Sequence, residues 1–273
     1  MKKIFGIVGH PVTHSLSPAM HNAAIKHLKI DAEYRLFDID PSDAEGLANF
    51  CYETELNQIS GFSVTMPYKE SVMAYMDYYD HLARIIGSVN TVVVEENKLI
   101  GYNTDTTGAM QALREKTDLI GKKALVMGAG GAARAIAYGL KEFMADVFLF
   151  NRTMEKAEEI AKAFELETID YRKIQDEEFD IIVNATPVGA MPNTAESLLN
   201  STQIAPHAVV MDIITNPLET QLLKEAKKAG ARTVSGERML LHQAVDQFRF
   251  FFQLEPPIDV MEKAMYEDLR KRK

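Results

Sequence analysis

Cysteine is nearly absent from this 273-residue chain; Cys51 is the only one. No intrachain disulfide can form, and the usage points to a reducing compartment. Long apolar runs are missing too. Nothing approaches the roughly 20 residues that cross a bilayer. The apolar stretch at residues 4–8 follows Lys2-Lys3, but it is too short for a signal peptide and no cleavage pattern follows. Positive charge is not in excess: 30 Lys and Arg face 39 Asp and Glu, a net charge of −9. That disfavours nucleic acid and anionic membranes as partners. The one basic run, Arg270-Lys271-Arg272-Lys273, is expected to complement the C-terminal dipole of a last helix. No repeat and no low-complexity linker interrupts the chain. The histidines do not combine with cysteine or acids at metal-ligand spacing; His10 and His14 are four apart, but Pro11 argues against a helix presenting both. No metal site and no nucleophile elbow is read. What remains is a cytoplasmic globular chain, 47% hydrophobic and 25% charged, long enough for two modest domains.

One stretch carries a specific signal. Residues 124–127 form an apolar run of strand length, and Gly128-Ala129-Gly130-Gly131-Ala132-Ala133 follows at once as G-x-G-x-x-A. Residues 135–140 read as a buried helix and 147–150 as the next strand. That is a βαβ unit of dinucleotide-binding length. Gly128 allows the tight turn, Gly130 lets the backbone approach a pyrophosphate, and Ala133 lets helix and strand pack closely. The helix N-terminus offers N–H groups and partial positive charge to phosphate. A glycine turn between any strand and helix is the plain alternative. The end of the second strand tells against it. An NAD site places a carboxylate there for the ribose 2′-hydroxyl, whereas this chain has Asn151-Arg152-Thr153, with Lys156 close behind. An arginine and a hydroxyl would bind a 2′-phosphate that a carboxylate would repel. The site therefore reads as NADP(H). The competing view is that Arg152 and Lys156 only begin a solvated helix face.

The rest of the chain alternates strands and helices. Strands are expected at residues 4–8, 34–39, 59–66, 90–95 and 98–102, the last two joined by a turn at Glu96-Asn97. Ser17 is expected to cap a helix that Pro18 opens and that runs to about residue 29. A second helix is expected from Pro41 to about residue 55, and Pro67 is expected to turn the third strand into a helix carrying Lys69. This half has no glycine-rich loop and reads as a substrate domain on a mostly parallel sheet. A linking helix follows Asn103. Further strands are expected at 179–184, 208–213 and 232–234, with Asn216-Pro217 capping a helix that Gly230 ends. Apolar spacing predicts a long helix over 237–252 and a last one over 260–270. The fold class is α/β: an N-terminal substrate domain, residues 1–103 plus 238–273, and a Rossmann-type doubly wound NADP-binding domain, residues 104–237, with a cleft between them.

Polar residues cluster where strands end, the ligand-binding edge of an open parallel sheet. Ser15, Ser17, Thr65, Asn90 and Gln243 are neutral hydrogen-bonding groups suited to a small polyhydroxylated ligand. Lys69 and Asp105 add one charge of each sign. Each has a plain reading: helix cap, turn residue, solvated lysine or solvated helix position. The functional one requires Lys69 and Asp105 to meet across the cleft.

Taken together, the motifs Gly9-His10-Pro11, His14 to Pro18 with His21-Asn22, Val64 to Lys69, Val89-Asn90-Thr91, Gly101 to Asp105 with Gly108, Gly128 to Ala132, Asn151-Arg152-Thr153, Asn184 to Pro187, Asn216-Pro217-Leu218 and Gly236 to Gln243 resemble the shikimate/quinate dehydrogenase family along essentially the whole chain. The resemblance implies reversible NADPH-dependent reduction of 3-dehydroshikimate to shikimate, a step toward chorismate and the aromatic amino acids. It implies that Lys69 is the acid/base, paired with Asp105. Ser15, Ser17, Thr65, Lys69, Asn90, Asp105, Thr215 and Gln243 would contact substrate. Gly128, Ala129, Gly130, Gly131, Ala132, Asn151, Arg152, Thr153, Lys156, Ile213 and Gly236 would contact NADP(H). Partners are small molecules, with a monomer or homodimer expected and neither nucleic acid nor membrane involved. Two positions depart from the family pattern: Ser63 where asparagine is usual, and Thr215 where tyrosine is usual. Altered substrate affinity is expected from them, and quinate stays open as a substrate. A non-catalytic NADP-binding sensor on the same fold is the reading from another class; keeping both Lys69 and Asp105 tells against it.

Overall fold

The computed structural model describes residues 2–54 and 56–272. The chain forms two compact units, one from the first 104 residues with the stretch from Gln243 onward, the other from Asp105 to His242.

In the first unit β1 (Lys3–Gly9) leads to α1 (Ser17–His27), then β2 (Ala32–Asp38), α2 (Gly46–Tyr52) and β3 (Ile59–Val64). A single 3₁₀ stretch at Ser71–Tyr75 precedes β4 (Tyr78–Tyr79) and α3 (His81–Ile86). A hairpin of β5 (Thr91–Glu95) and β6 (Lys98–Tyr102) follows. The sheet order is β2-β1-β3-β5-β6-β4. β1 pairs in parallel with both β2 and β3, while β5 is antiparallel to β3 and to β6. Glu96 and Asn97 both take positive φ, 49° and 62°, as a two-residue hairpin turn demands.

The second unit opens with α4 (Asp105–Arg114) and continues through β7 (Lys123–Met127), α5 (Gly131–Glu142), β8 (Asp146–Phe150), α6 (Met154–Phe164), β9 (Glu167–Thr168), β10 (Ile181–Asn184), β11 (Val209–Asp212), α7 (Gln221–Ala229) and β12 (Arg232–Val234). Its order, β12-β11-β10-β7-β8-β9, is all parallel and doubly wound, with the switch point between β7 and β10. β10 and β11 are buried at every position, which is why they read as unbroken apolar runs. The long α8 (Gly236–Phe252) carries the chain back to the first unit, and α9 (Ile258–Lys271) ends it, packed along α1. Within the second unit Arg238 forks onto Glu115, and His242 reaches the same carboxylate at 2.7 Å. Among the described residues no helix is long and apolar enough to cross a membrane.

Four local expectations fail. Ser17 does not cap α1; the helix starts at Ser17 itself, and the N-cap residue is Leu16, which makes no side-chain cap hydrogen bond. Pro41 does not open a helix, because Asp40 and Asp43 hold residues 41–45 in turns by accepting from the N–H groups of Ser42 and Glu45. Lys69 lies in a turn ahead of the 3₁₀ stretch and not on a helix. Asn216-Pro217 does not cap α7; the Thr220 hydroxyl does, accepting from Leu223, and Gly230 ends that helix at φ 85°.

The first unit buries an aromatic cluster between its sheet and its C-terminal helices. Phe5 packs on Phe251 and Phe252, and His21 stacks on the Tyr34 ring at 4.3 Å with the rings 8° from parallel. His21 is fully buried, and its ring nitrogens find no hydrogen-bond partner among the described residues. Burial pushes the imidazole down from 6.5 to about 3, against a smaller opposing contribution from Gln247. The folded chain thus binds this proton only in strong acid, whereas an unfolded imidazole binds it near 6.5. Stability present above that pH drains away as the pH falls toward 3. Urea unfolding should show about 2 kcal/mol lost between pH 7.5 and pH 5 on this account, and His21→Phe, which keeps the stack, should flatten that slope. An equal slope in the variant would assign the acid sensitivity to other groups.

Candidate active site

In the first unit the polar groups meet at the ends of β1, β3 and β5. Asn90, 1% exposed, is the hub. Its Oδ1 accepts from the Thr91 hydroxyl at 2.8 Å and from the Thr104 N–H at 2.8 Å. Those two donors fix which end of the amide is oxygen, so Nδ2 faces Thr104 Oγ1 at 3.0 Å and Gln243 Oε1 at 3.4 Å. Asn90 is therefore no loose turn residue, and Gln243 is a buried position on α8, not a solvated one. Thr65 follows β3 and is tied to β1 through its N–H on the Val8 carbonyl, 2.9 Å. The Lys69 carbonyl accepts from Val89 at 2.8 Å, which fixes the lysine backbone next to the hub, with its side chain half-buried.

Ser15 sits in the loop after β1 and Ser17 opens α1. Ser15 Oγ accepts from the Ser17 N–H at 3.2 Å. The carbonyls of His14 and Ser15 accept from one guanidinium, that of Arg272 beyond α9, which Asp268 holds in turn. The basic run at the C-terminus thus has a specific partner that a helix-dipole reading misses. Ser63, expected to alter an open substrate contact, is 2% exposed, and its hydroxyl is spent inside the protein on Tyr34 and Gln247.

In the second unit the glycine turn follows β7. Gly128 has φ 129°, and a Cβ there would stand 2.8 Å from the Ala185 carbonyl oxygen; only glycine fits. At Gly130 a Cβ would meet no atom within 4 Å, so the space over the turn is open. No side chain caps α5, and its first N–H groups keep the donors an anion needs. At the end of β8, Asn151 Nδ2 donates to the Thr153 carbonyl at 2.8 Å and preforms the turn. The Thr153 hydroxyl is not used to cap α6. Arg152 and Lys156 are exposed, and neither makes an ion pair with a described residue. Open space over a glycine turn, with cations and a hydroxyl at the next strand end, fits a dinucleotide bearing an extra phosphate. The shared α8 begins at Gly236, where a Cβ would come within 2.6 Å of the Ile213 and Ile214 backbone. Ile213 and Thr215 are half-buried in the loop after β11.

A buried pair that sequence reasoning missed holds these loops. Asp212 Oδ1 accepts from Asn184 Nδ2 and from the Ile214 N–H, both at 3.1 Å, and Oδ2 accepts from the Thr220 hydroxyl at 2.7 Å. Asn184 Oδ1 in turn accepts from Thr186. Burial raises the Asp212 carboxyl, and the three donors pull it back only in part. The signal available was the D-x₇-T spacing after an apolar strand.

The comparisons with known proteins come in the same order as these elements. Residues 7–92 match the shikimate dehydrogenase substrate binding domain, 110–227 match shikimate/quinate 5-dehydrogenase, and 236–266 match the shikimate 5′-dehydrogenase C-terminal domain. The chain belongs to the shikimate dehydrogenase family. The NADP(+)-dependent shikimate dehydrogenase of Methanococcus maripaludis is 43% identical over 96% of both chains. That of Methanocaldococcus jannaschii is 42% identical over 98% of both. The solved Thermus thermophilus shikimate 5-dehydrogenase, in complex with NADP(H) and shikimate, superposes with a TM-score of 0.91 at 35% identity, covering 97% of this chain and 99% of that one.

Removing the Asp212 carboxylate takes the acceptor from the Ile214 N–H and the Thr220 hydroxyl and one of two acceptors from Asn184 Nδ2. Asp212→Ala should cost at least about 2 kcal/mol and speed amide exchange at Ile214. A melting temperature equal to wild type would show that the loops do not depend on this carboxylate.

Proposed function

We propose that this chain catalyses the reversible reduction of 3-dehydroshikimate by NADPH and a proton to shikimate and NADP⁺, acting in the cytoplasm as a monomer or homodimer. The observation that carries the reading is a buried, neutral hydrogen-bonding hub at Asn90 in one unit together with an open glycine turn and exposed Arg152 in the other. Membership of the family supplies the reaction.

NADP(H) would be held by Gly128 to Ala132 at its pyrophosphate and by Asn151, Arg152, Thr153 and Lys156 at the 2′-phosphate, with Ile213 and Gly236 beside them. When bound it supplies the hydride. Ser15, Ser17, Thr65, Asn90, Thr215 and Gln243 orient the polyol, and orientation is worth a large share of a barrier. As the carbonyl carbon is reduced, negative charge builds on the carbonyl oxygen. The Lys69 ammonium meets that charge and passes a proton from Nζ to the oxygen; in the reverse direction the amine takes the hydroxyl proton. Asp105, which heads α4 and is buried, is the carboxylate that the family resemblance pairs with Lys69.

Turnover of shikimate with NADP⁺, followed at the nicotinamide absorbance, tests the reading directly. Equal efficiency with quinate would widen it to both substrates. Lys69→Ala should lower kcat by at least about 100-fold while the shikimate KM moves only a few-fold, because the lysine meets charge that exists only as the reaction proceeds. A rise in KM alone would make Lys69 a binding residue. Arg152→Ala should weaken NADP⁺ at least about tenfold and leave NAD⁺ nearly unchanged, since a charged pair is lost only with the former. Equal weakening of both cofactors would overturn the assignment.

A further inference from the structure

Three residues with no role so far lead to one of the proposed substrate contacts, Asn90. The Tyr34 hydroxyl donates to Ser63 Oγ at 2.7 Å. Ser63 Oγ donates to Gln247 Oε1 at 2.8 Å. Gln247 Nε2 donates to the Asn90 carbonyl at 3.2 Å. We propose that Tyr34, Ser63 and Gln247 form a buried relay whose role is to hold Asn90 in place for the substrate.

The geometry distinguishes this relay from ordinary satisfaction of core polar groups. Its members come from β2, β3 and α8, far apart in sequence, yet every hydrogen bond runs in one direction, from phenol to hydroxyl to amide to carbonyl. The Ser63 hydroxyl accepts once and donates once, the pattern in which neighbouring hydrogen bonds reinforce one another. It ends on a residue whose plain reading has failed. Asn90 has its side-chain oxygen fixed by Thr91 and Thr104, and its backbone oxygen accepts both from the Val64 N–H at 2.8 Å and from Gln247 at 3.2 Å. The relay also stays uncharged. Burial raises the Tyr34 phenol, so it remains a donor, and the His21 ring stacked on it is neutral. Ser63 thus has a positive part: a short hydroxyl fits between a phenol and an amide, where the family's usual asparagine would bring its own donors and acceptor.

The inference rests on the shikimate dehydrogenase reading. Tyr34→Phe removes one hydroxyl and keeps the stacked ring; Ser63→Ala cuts the same relay one step further on. Each should raise the shikimate KM about 3- to 10-fold, the worth of one neutral hydrogen bond, with kcat and the NADP⁺ KM within about two-fold of wild type. The double variant should be no worse than Ser63→Ala alone, because both changes break one coupled unit. A core role without positioning would lower the melting temperature and leave the KM where it was. A shikimate KM unmoved in both single variants overturns the relay, as do equal shifts for both substrates or additive effects in the double variant. Tyr34→Phe keeps the test open if Ser63→Ala fails to fold. A wild-type protein that turns over no shikimate takes down the functional reading and the relay with it; turnover with unmoved KM values takes down the relay alone.

Discussion

Parallel pairing of strands is the constraint on which the rest depends. A parallel strand cannot return to its neighbour by a tight turn, so each needs a crossover of a dozen or more residues. All the crossovers leave from the same end of the sheet. In the second unit every paired strand is parallel, and the loops after β7, β8, β10 and β11 leave together. In the first unit β1 and β3 do the same, while the β5–β6 hairpin closes the side. Backbone groups beyond the last ladder bond need partners. They find them in Asn184 and Asp212 in one unit and in Asn90 and Gln247 in the other. The residues proposed for chemistry sit on loops held from below by these buried amides and this one carboxylate.

The glycine turn was legible because its demands are local. A positive φ, a close carbonyl and a helix that starts at once are all written within six residues, and Gly128 to Ala133 carry them. The exposed Arg152 was legible for the same reason: it stands one residue from the end of an apolar strand. Buried parallel strands announce themselves by unbroken apolar runs. Caps were less secure. Ser17-Pro18 has the right pair of residues for a helix start, yet the helix begins one residue earlier than a cap would allow, and the serine turns inward. Asn216-Pro217 marks a loop, but the cap went to Thr220, whose hydroxyl also reaches the Asp212 carboxylate. In both places a local propensity lost to a hydrogen bond or a packing contact made across the fold.

What could not be read is the pairing of residues distant in sequence. Tyr34, Ser63 and Gln247 look unremarkable in order: a tyrosine in an edge strand, a serine in an apolar strand, a glutamine on an aromatic helix. Gln247 stands four positions after Gln243, which puts both on one face of α8, and that was the only local hint. Arg272 likewise looked like one of four terminal charges. Its fork across two successive carbonyls is a property of guanidinium geometry in a place that only the packing of α9 on α1 creates.

The two units solve recognition in opposite ways, and the difference follows from the charge of what each is proposed to hold. A phosphate is strongly hydrated and carries its own attraction. An exposed guanidinium on a preformed turn can meet it, and the turn needs only open space and unspent N–H groups. The ring hydroxyls and ketone of the proposed substrate, apart from its carboxylate, offer no such attraction. Discrimination among its hydroxyls depends on donors and acceptors whose directions are already set before it arrives, since a group free to rotate satisfies any partner equally well. Setting those directions takes buried, mutually bonded neutral groups, and these occur around Asn90. A charge inside that network would swamp its directional preferences and would carry a desolvation cost. The stacked His21, neutral down to strong acid, fits that requirement, and the fixed charge proposed for the reaction is left to Lys69, at the half-buried margin of the network.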